Sequence, residues 1–208
     1  MSFFPTQRIE HAGDYARAYF DRLNEAHATV STDAMTAAGR LLSDAAQAGR
    51  TIYSCGNGGS AAIANHLVCD CLKGVRTNSN LKPKVVSLSS TVELITAIVN
   101  DIGSEQMFSF QLESLGSEGD VLVAISSSGS SPNIINAVKT AKSLGMRTLS
   151  MTGFSGGETA KLADVSLHVD AQNYGVIEDI HQSLMHILAQ YMRQLHISNV
   201  EQLGKLKF

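Results

Sequence analysis

Short β-branched runs alternate with longer helical segments along most of the chain, and this alternation limits the fold more than any other feature. Parallel strands need long crossover connections, which helices between the runs would supply. The sequence therefore predicts an α/β domain with a parallel sheet of about five strands and helices on both of its faces. The predicted strands span residues 51–55, 85–88, 121–125, 147–151 and 165–169.

Further helices are predicted at both ends of this region. Two precede the first strand, over residues 6–28 and 32–48, and a long one follows the last strand over 176–196. The first can lie over the domain's own core or pack against another subunit. We expect one structural unit, with N-terminal helices in 1–50 and the α/β domain in 51–198. The helices between strands are predicted over 91–99, 105–115, 132–144 and 158–163.

Length and charge exclude several classes of protein. The 208 residues suit one domain, and 16 basic against 19 acidic residues give a net charge of −3. Non-specific nucleic-acid binding depends on a basic excess, so we expect no nucleic-acid partner. The N-terminal residues hold no uninterrupted apolar stretch, and no segment approaches the ~20 apolar residues of a membrane span. We therefore expect a cytoplasmic protein without membrane association.

The three cysteines make an odd number, which argues against a framework of disulfides. Cys69 and Cys71 lie two residues apart in a predicted helix, where they point to nearly opposite sides and cannot chelate one metal ion together. We interpret Cys55, Cys69 and Cys71 as small, buried and reduced side chains.

A glycine-rich turn, residues 56–60, joins the first predicted strand to the next helix. Gly58 and Gly59 lack Cβ atoms and let the backbone approach a ligand, and Ser60 is the predicted N-cap. Free N–H groups and the aligned peptide dipoles favour an anion at such a helix start. The turn is therefore a candidate anion site, although glycine-rich turns also occur for purely geometric reasons.

His66 and Asp70 lie four residues apart on the helix that follows, so they share one face. An imidazole and a carboxylate together can bind a divalent metal ion or exchange protons with a substrate. The same pair can also do no more than stabilise its own helix. The spacing leaves both interpretations open.

A second candidate anion site follows the third predicted strand. Residues 126–131 contain five serines in six positions, ahead of a helix that begins at Pro132. Ligands of open α/β sheets bind outside the carboxyl ends of the strands, and proline is favoured at the first helical position. Hydroxyls and free N–H groups there predict a phosphate cradle, whereas the alternative is a capped turn rich in small polar residues.

The last helix carries a ladder of polar residues at i, i+4 spacing, formed by Glu178, Gln182 and His186. His181 lies well round the helix from His186, so His186 is the better site candidate. His181 suits a packing position, or a ligand in an E-x-x-H arrangement with Glu178.

Four motifs in this order resemble the sugar isomerase (SIS) domain family. They are SCGNGGSA, His66-x-x-x-Asp70, AISSSGSSPNI and IEDIHQSLMHIL. Over residues 6–196 the chain is similar to the bacterial sedoheptulose-7-phosphate isomerases, or phosphoheptose isomerases. The resemblance implies conversion of sedoheptulose 7-phosphate to D-glycero-D-manno-heptose 7-phosphate through a metal-assisted enediol, for lipopolysaccharide or another cell-surface glycan. It also implies a homotetramer with active sites between subunits, bundled by the first and last helices.

The resemblance also implies roles for individual residues. Asn57 and Asp101 would contact sugar hydroxyls, and Asp70 and His186 would form the acid–base pair, on opposite sides of the substrate. The implied zinc ligands are His66, Asp70, Glu178 and His186. The remaining substrate contacts, with the phosphate against the serines, would come from Gly58, Gly59, Ser60, Ser126, Ser127, Ser128, Ser131 and Glu178.

Three departures from the family pattern leave the metal, the rate and the sugar open. Asp70 stands where relatives usually have Glu, Glu178 stands where they usually have Gln, and residues 173–176 lack an acidic and a basic residue often found there. Two rival functions remain: a non-enzymatic SIS tetramer that binds a replication-initiator protein, and a metal-free isomerase or sensor of another sugar phosphate. Ligand-capable side chains at all four metal positions favour an enzyme.

Overall fold

Five parallel strands form the sheet at the centre of this chain in a computed structural model, which describes residues 3–205 and 207. Their spatial order is β2-β1-β3-β4-β5. The predicted α/β architecture is therefore confirmed, and the strand bounds agree with the prediction to within one residue. The strands are β1 (Thr51–Gly56), β2 (Lys84–Ser87), β3 (Val121–Ser126), β4 (Arg147–Thr152) and β5 (Val165–His168).

Helices join the strands and frame them at both ends. The α-helices are α1 (Ala12–His27), α2 (Thr32–Gln47), α3 (Gly59–Cys69), α4 (Val92–Asp101), α5 (Ser109–Leu115), α6 (Pro132–Ser143), α7 (Gly157–Leu162) and α8 (Tyr174–Leu195). A π-helical segment, Asp70–Val75, continues α3, and short 3₁₀ turns span Ser104–Gln106 and Val200–Gln202.

The sheet separates two hydrophobic cores because alternate residues of a strand point to opposite faces. In β3, Val121, Val123 and Ile125 enter the core shared with α2, α3 and α8. Leu122 and Ala124 enter the other core, beneath α5 and α6. All six β3 residues are buried, as expected for a central strand covered on both faces.

The strand order creates a crevice between β1 and β3. The chain leaves β1 towards β2 on one side of the sheet, and the later strands are added on the other side. This reversal brings the loops after β1 and β3 together at the carboxyl edge, where open α/β sheets bind ligands. The two candidate anion sites predicted from the sequence therefore become neighbours.

Several predicted helix boundaries were wrong. The first helix begins at Ala12 rather than residue 6, after His11 in an extended conformation. The predicted helix over 105–115 is broken before Ser109, where Phe108 is fully buried in the second core. Helix α3 begins at Gly59, with Gly58 at a φ of 52° as its N-cap, so Ser60 lies inside the first turn.

The cysteines are partly as predicted. Cys55 and Cys71 are buried, and burial raises the pKa of each thiol to about 12. Cys69 is exposed, because the two sides of the helix face the core and the solvent. The expectation of three buried cysteines was therefore wrong for Cys69.

Helix α1 lies against α8, where the Tyr19 hydroxyl donates a hydrogen bond of 2.7 Å to Asp179. Within α1 only Ala26 is buried, and Phe20 is 59% exposed. The helix thus contacts its own domain and leaves aromatic surface uncovered. Among the described residues, no helix combines the length and apolar character needed to span a bilayer.

Candidate active site

A polar cavity of about 130 Å³, the serine cavity, lies at the carboxyl edge of the sheet, between the loops after β1 and β3. The start of α8 closes its third side. Seven predicted substrate-binding residues line it, so two distant loops and a helix do converge there. The lining residues are Asn57, Ser60, Ile125, Ser126, Ser127, Ser128, Ser131, Tyr174 and Glu178.

The loop over residues 126–131, the serine loop, leaves several polar groups available to a ligand. Ser131 is the N-cap residue of α6, yet its hydroxyl makes no capping hydrogen bond, and Pro132 occupies the first helical position as predicted. The Ser127 hydroxyl is buried and has no hydrogen-bond partner among the described residues. A buried hydroxyl without a partner is costly, and an anion in the cavity would supply the missing acceptor.

Gly129 gives the serine loop its shape. Its φ is 63°, a left-handed value, and its N–H donates to the carbonyl of Ser126 at 3.0 Å and the hydroxyl of Ser126 at 3.2 Å. Its Cα faces the backbone of Gly156 and Gly157, where any side chain would overlap main-chain atoms. The loop therefore packs directly on the turn before α7.

Asn57 and Asn133 tie the two ligand-binding loops together. Each side-chain amide donates to the other, at 3.0 Å and 2.9 Å. Asn57 follows β1, whereas Asn133 is buried in the first turn of α6. The reciprocal pair fixes the orientation of the Asn57 amide beside the cavity. Asn133 was not among the predicted site residues, because the pairing joins residues 76 positions apart.

We expect Asn133→Ala to lower the free energy of unfolding by about 1–2 kcal/mol, the net value of two hydrogen bonds. Asn136→Ala is the control, because its amide makes one exposed hydrogen bond from the same helix. Urea unfolding of Asn57→Ala, Asn133→Ala and the double variant measures the coupling. Strictly additive losses would show that the two amides do not stabilise each other.

Three side chains form a candidate metal centre between α3 and α8. His66, Asp70 and His186 each offer a ligand atom, and these atoms lie within 4.8 Å of one another. The Asp70 carboxylate contacts both rings, 3.4 Å from His66 Nε2 and 2.6 Å from His186 Nδ1. The tertiary structure thus joins the predicted helix pair to the predicted histidine of α8.

Asp70 is held where α3 passes into its π-helical continuation. Such π segments are rare and occur frequently at functional sites. Asp70 is buried, whereas the side chains of His66 and His186 are 45% and 36% exposed. The group is therefore anchored on its protein side and open to a ligand on the other, as catalytic metal sites require.

Gln182 belongs to this group, although no role was predicted for it. Its side-chain amide lies 3.1 Å from His66 Nδ1 and 2.9 Å from His186 Nε2. The i, i+4 ladder with His186 was the signal that pointed to it. Asp70 contacts the other nitrogen of each ring, so the Gln182 amide orients both imidazoles without sharing the carboxylate's position. Two imidazoles and a carboxylate suit zinc and related divalent ions.

Glu178 lies elsewhere. Among the described residues, the converging group contains His66, Asp70 and His186 but not Glu178. The Glu178 carboxylate lies against Gly59 at the N-terminus of α3, beside the serine cavity. Burial, with a smaller effect from Asp179, raises the pKa of this carboxyl. Its predicted substrate contact fits this position better than its predicted metal contact.

Asp101 and His181 do not line the cavity, and neither do the predicted Gly58 and Gly59. Asp101 ends α4, is exposed and accepts a hydrogen bond from Asn100. Its contact with a sugar stays a prediction. His181 is fully buried, neither ring nitrogen has a hydrogen-bond partner among the described residues, and burial lowers its pKa to about 4. A neutral, buried imidazole matches the packing interpretation.

Comparison with known proteins agrees with this fold and site. A family model described as SIS domain matches residues 14–153. The phosphoheptose isomerase of Nitratidesulfovibrio vulgaris strain Hildenborough is 34% identical over 192 residues, covering 92% of this chain and 89% of that protein. That of Hamiltonella defensa is 40% identical over 176 residues, covering 84% of each.

Solved structures give the same result. A phosphoheptose isomerase from Francisella tularensis superposes with a TM-score of 0.82 at 30% identity, covering 88% of this chain and 99% of that one. The enzyme from Neisseria gonorrhoeae gives 0.80 at 32% identity, covering 88% and 98%. The chain is therefore an isomerase of the SIS domain class. Within that class it belongs to the phosphoheptose isomerase family, as the motifs predicted.

Proposed function

We propose that this protein converts sedoheptulose 7-phosphate to D-glycero-D-manno-heptose 7-phosphate, supplying heptose for lipopolysaccharide or another cell-surface glycan from the cytoplasm. The observation that carries the proposal is the pairing of an anion cavity with a metal-capable group along one face of α8. Glu178 borders the cavity and His186 belongs to the metal group, eight residues further on. Eight helical residues span about 12 Å, a distance suited to an extended sugar phosphate.

The phosphate of this substrate would lie in the serine cavity. The hydroxyls of Ser126, Ser127, Ser128 and Ser131 and the free N–H groups of α6 would bind its oxygens. Ser60 and the N-terminus of α3 would bind from the other side, with Asn57 turned towards the sugar hydroxyls. Binding energy gained there positions carbons far from the phosphate, so it raises turnover as well as affinity.

The reacting end of the sugar would lie at His66, Asp70 and His186. Isomerisation removes a proton from C1, transfers a proton between O1 and O2, and returns a proton to C2. Asp70 and His186 would carry these protons, and the 2.6 Å contact lets a proton pass directly between their side chains. The placement of the two side chains on opposite sides of the substrate stays a prediction.

Zinc, bound by His66, Asp70 and His186, would polarise the carbonyl and stabilise the enediolate oxygen. The convergence of one ligand atom from each of these three residues within 4.8 Å supports this set. Asp70 reaches both histidines although it is one methylene shorter than the family's usual Glu. The shorter side chain is thus compatible with the proposed centre.

We also propose a homotetramer with active sites between subunits. The uncovered aromatic surface of α1 and four exposed apolar residues in and after α4 (Val92, Leu94, Val99 and Ile102) support contacts with further copies. Asp101 lies beside the last of these, so its predicted sugar contact would be made from an interface.

The proposed reaction is tested by adding sedoheptulose 7-phosphate to zinc-loaded protein and following the sugar by NMR. We expect an aldoheptose 7-phosphate signal that disappears after chelation and returns when zinc is restored. Product formed equally well by chelated, metal-free protein would contradict the metal-assisted mechanism. Absence of product from zinc-loaded protein would contradict the substrate assignment.

A further inference from the structure

Tyr174 lies at the mouth of the serine cavity, yet it has no part in the mechanism proposed above. It is the first residue of α8, lines the cavity beside Glu178 and is 60% exposed. The Asn173 side chain caps the helix there by accepting a 3.1 Å hydrogen bond from Val176 N–H. The backbone of Tyr174 is thus fixed while its ring is open to a ligand.

Phe154 braces the Tyr174 ring. The two ring centroids are 4.8 Å apart with an interplanar angle of 62°, a tilted geometry favoured by aromatic pairs. Phe154 N–H donates to the carbonyl of Ala171, and the preceding Gly153 N–H donates to the carbonyl of Ser127 at 2.8 Å. The brace is therefore hydrogen-bonded both to the serine loop and to the segment before α8.

The backbone at Phe154 is strained. Its φ is 48°, in the left-handed region that bulky residues rarely adopt. Such a conformation costs about 1–2 kcal/mol and persists only where surrounding contacts outweigh it. Here those contacts are the hydrogen bond to Ala171, packing against the first core and the ring of Tyr174. Strain of this kind clusters at ligand-binding sites.

The position of Tyr174 suits contact with carbon rather than with phosphate. Phosphate oxygens would pair with the serine hydroxyls and helix N–H groups, whereas an aromatic face offers an apolar surface. Tyr174 lies four residues before Glu178 on α8, at the end of the cavity away from Gln182 and His186, so its ring can reach only the carbon atoms next to the phosphate. The C–H groups next to the phosphate would pack on the ring.

We propose that Tyr174, held by Phe154, is a specificity-determining residue that contacts the carbon chain beside the phosphate and favours sugar phosphates over inorganic phosphate. The inference rests on the proposed function, which places the phosphate in the serine cavity and the reacting end of the sugar at His66, Asp70 and His186. Phe154 acts through Tyr174 and is a positioning residue.

Calorimetric titration of each variant with sedoheptulose 7-phosphate and with inorganic phosphate tests the inference. We expect Tyr174→Ala to weaken sugar-phosphate binding about tenfold, the scale of one aromatic contact, and to change phosphate binding less than twofold. Tyr174→Phe keeps the ring and should bind both ligands as the unaltered protein does. Phe154→Asn tolerates the left-handed backbone but removes the ring that packs against Tyr174. Its affinity for sedoheptulose 7-phosphate should lie between those of the two Tyr174 variants.

Equal effects of Tyr174→Ala on the two ligands would overturn the inference, as would Tyr174→Phe behaving like Tyr174→Ala. An unaltered protein that does not prefer sedoheptulose 7-phosphate to inorganic phosphate would also overturn it. Turnover of sedoheptulose 7-phosphate by the unaltered protein is measured separately. An unaltered protein that turns over sedoheptulose 7-phosphate but binds it no better than inorganic phosphate refutes only the role of Tyr174. An unaltered protein that prefers sedoheptulose 7-phosphate but does not turn it over refutes only the proposed reaction.

Discussion

His186→Ala is expected to slow isomerisation of sedoheptulose 7-phosphate by about a thousandfold or more. His186 contacts both Asp70 and Gln182, so truncation removes a candidate metal ligand and one half of the proposed proton relay. Acid–base catalysis alone contributes about 10²–10⁴-fold, and loss of the metal would add to the effect. Steady-state kinetics and zinc content of the purified variant measure the two losses.

The matched control is His27→Ala, which truncates an exposed histidine in the last turn of α1. It should keep its zinc and its rate. Melting temperatures of both variants establish that each is folded. A folded His186→Ala protein with an unchanged rate would remove His186 from the mechanism, and one that is slow but retains zinc would assign it to proton transfer alone.

Gly129→Ala is expected to lower the free energy of unfolding by about 3–4 kcal/mol and the melting temperature by about 10 °C. The left-handed φ costs about 1–2 kcal/mol for a residue with a Cβ atom, and overpacking adds about 1–3 kcal/mol. The added methyl group would overlap the carbonyl of Gly156, which is backbone and cannot rotate away. Any relief must displace the serine loop, so binding of inorganic phosphate should weaken as well.

Substitutions at two other glycines distinguish the cost of the left-handed φ from the cost of the overlap with Gly156. Gly49 has a φ of 68° and open space where a methyl group would lie, so Gly49→Ala isolates the conformational cost, about 1–2 kcal/mol. Gly13 lies in α1 with open space and no left-handed φ, so Gly13→Ala should be neutral or stabilising. Thermal melts and phosphate titrations compare all three. Equal losses for Gly129→Ala and Gly49→Ala would show that the contact with Gly156 is unimportant.

The local sequence pattern was sufficient to locate the strands and helices that carry the candidate site. The β-branched runs located all five strands, and Pro132 marked the start of α6 correctly. Prediction failed where tertiary contacts override local preference. The break before Ser109 places Phe108 in the second core, and Gly58 caps α3 because its left-handed φ suits the turn after β1.

Some residues of the candidate site were predicted from the sequence, whereas others were missed. Hydroxyls at a strand end identified the serine loop, because a strand end and a helix start are both visible in sequence. Gln182 and Asn133 were missed as site residues, since each gains its position from a partner on a distant element. Glu178 was assigned to the metal by family position, whereas its carboxylate lies at the start of α3.

The sequence by itself determined the α/β class, the strands and the residue types available at the carboxyl edge, because periodicity and turn chemistry act over a few neighbouring residues. The family followed from the resemblance of four motifs in their order. Only the tertiary structure decided which of those residues meet. Asp70 and His186 are 116 positions apart, and their 2.6 Å contact depends on how α8 packs against α3. Side-chain packing sets that arrangement, and no local pattern encodes it.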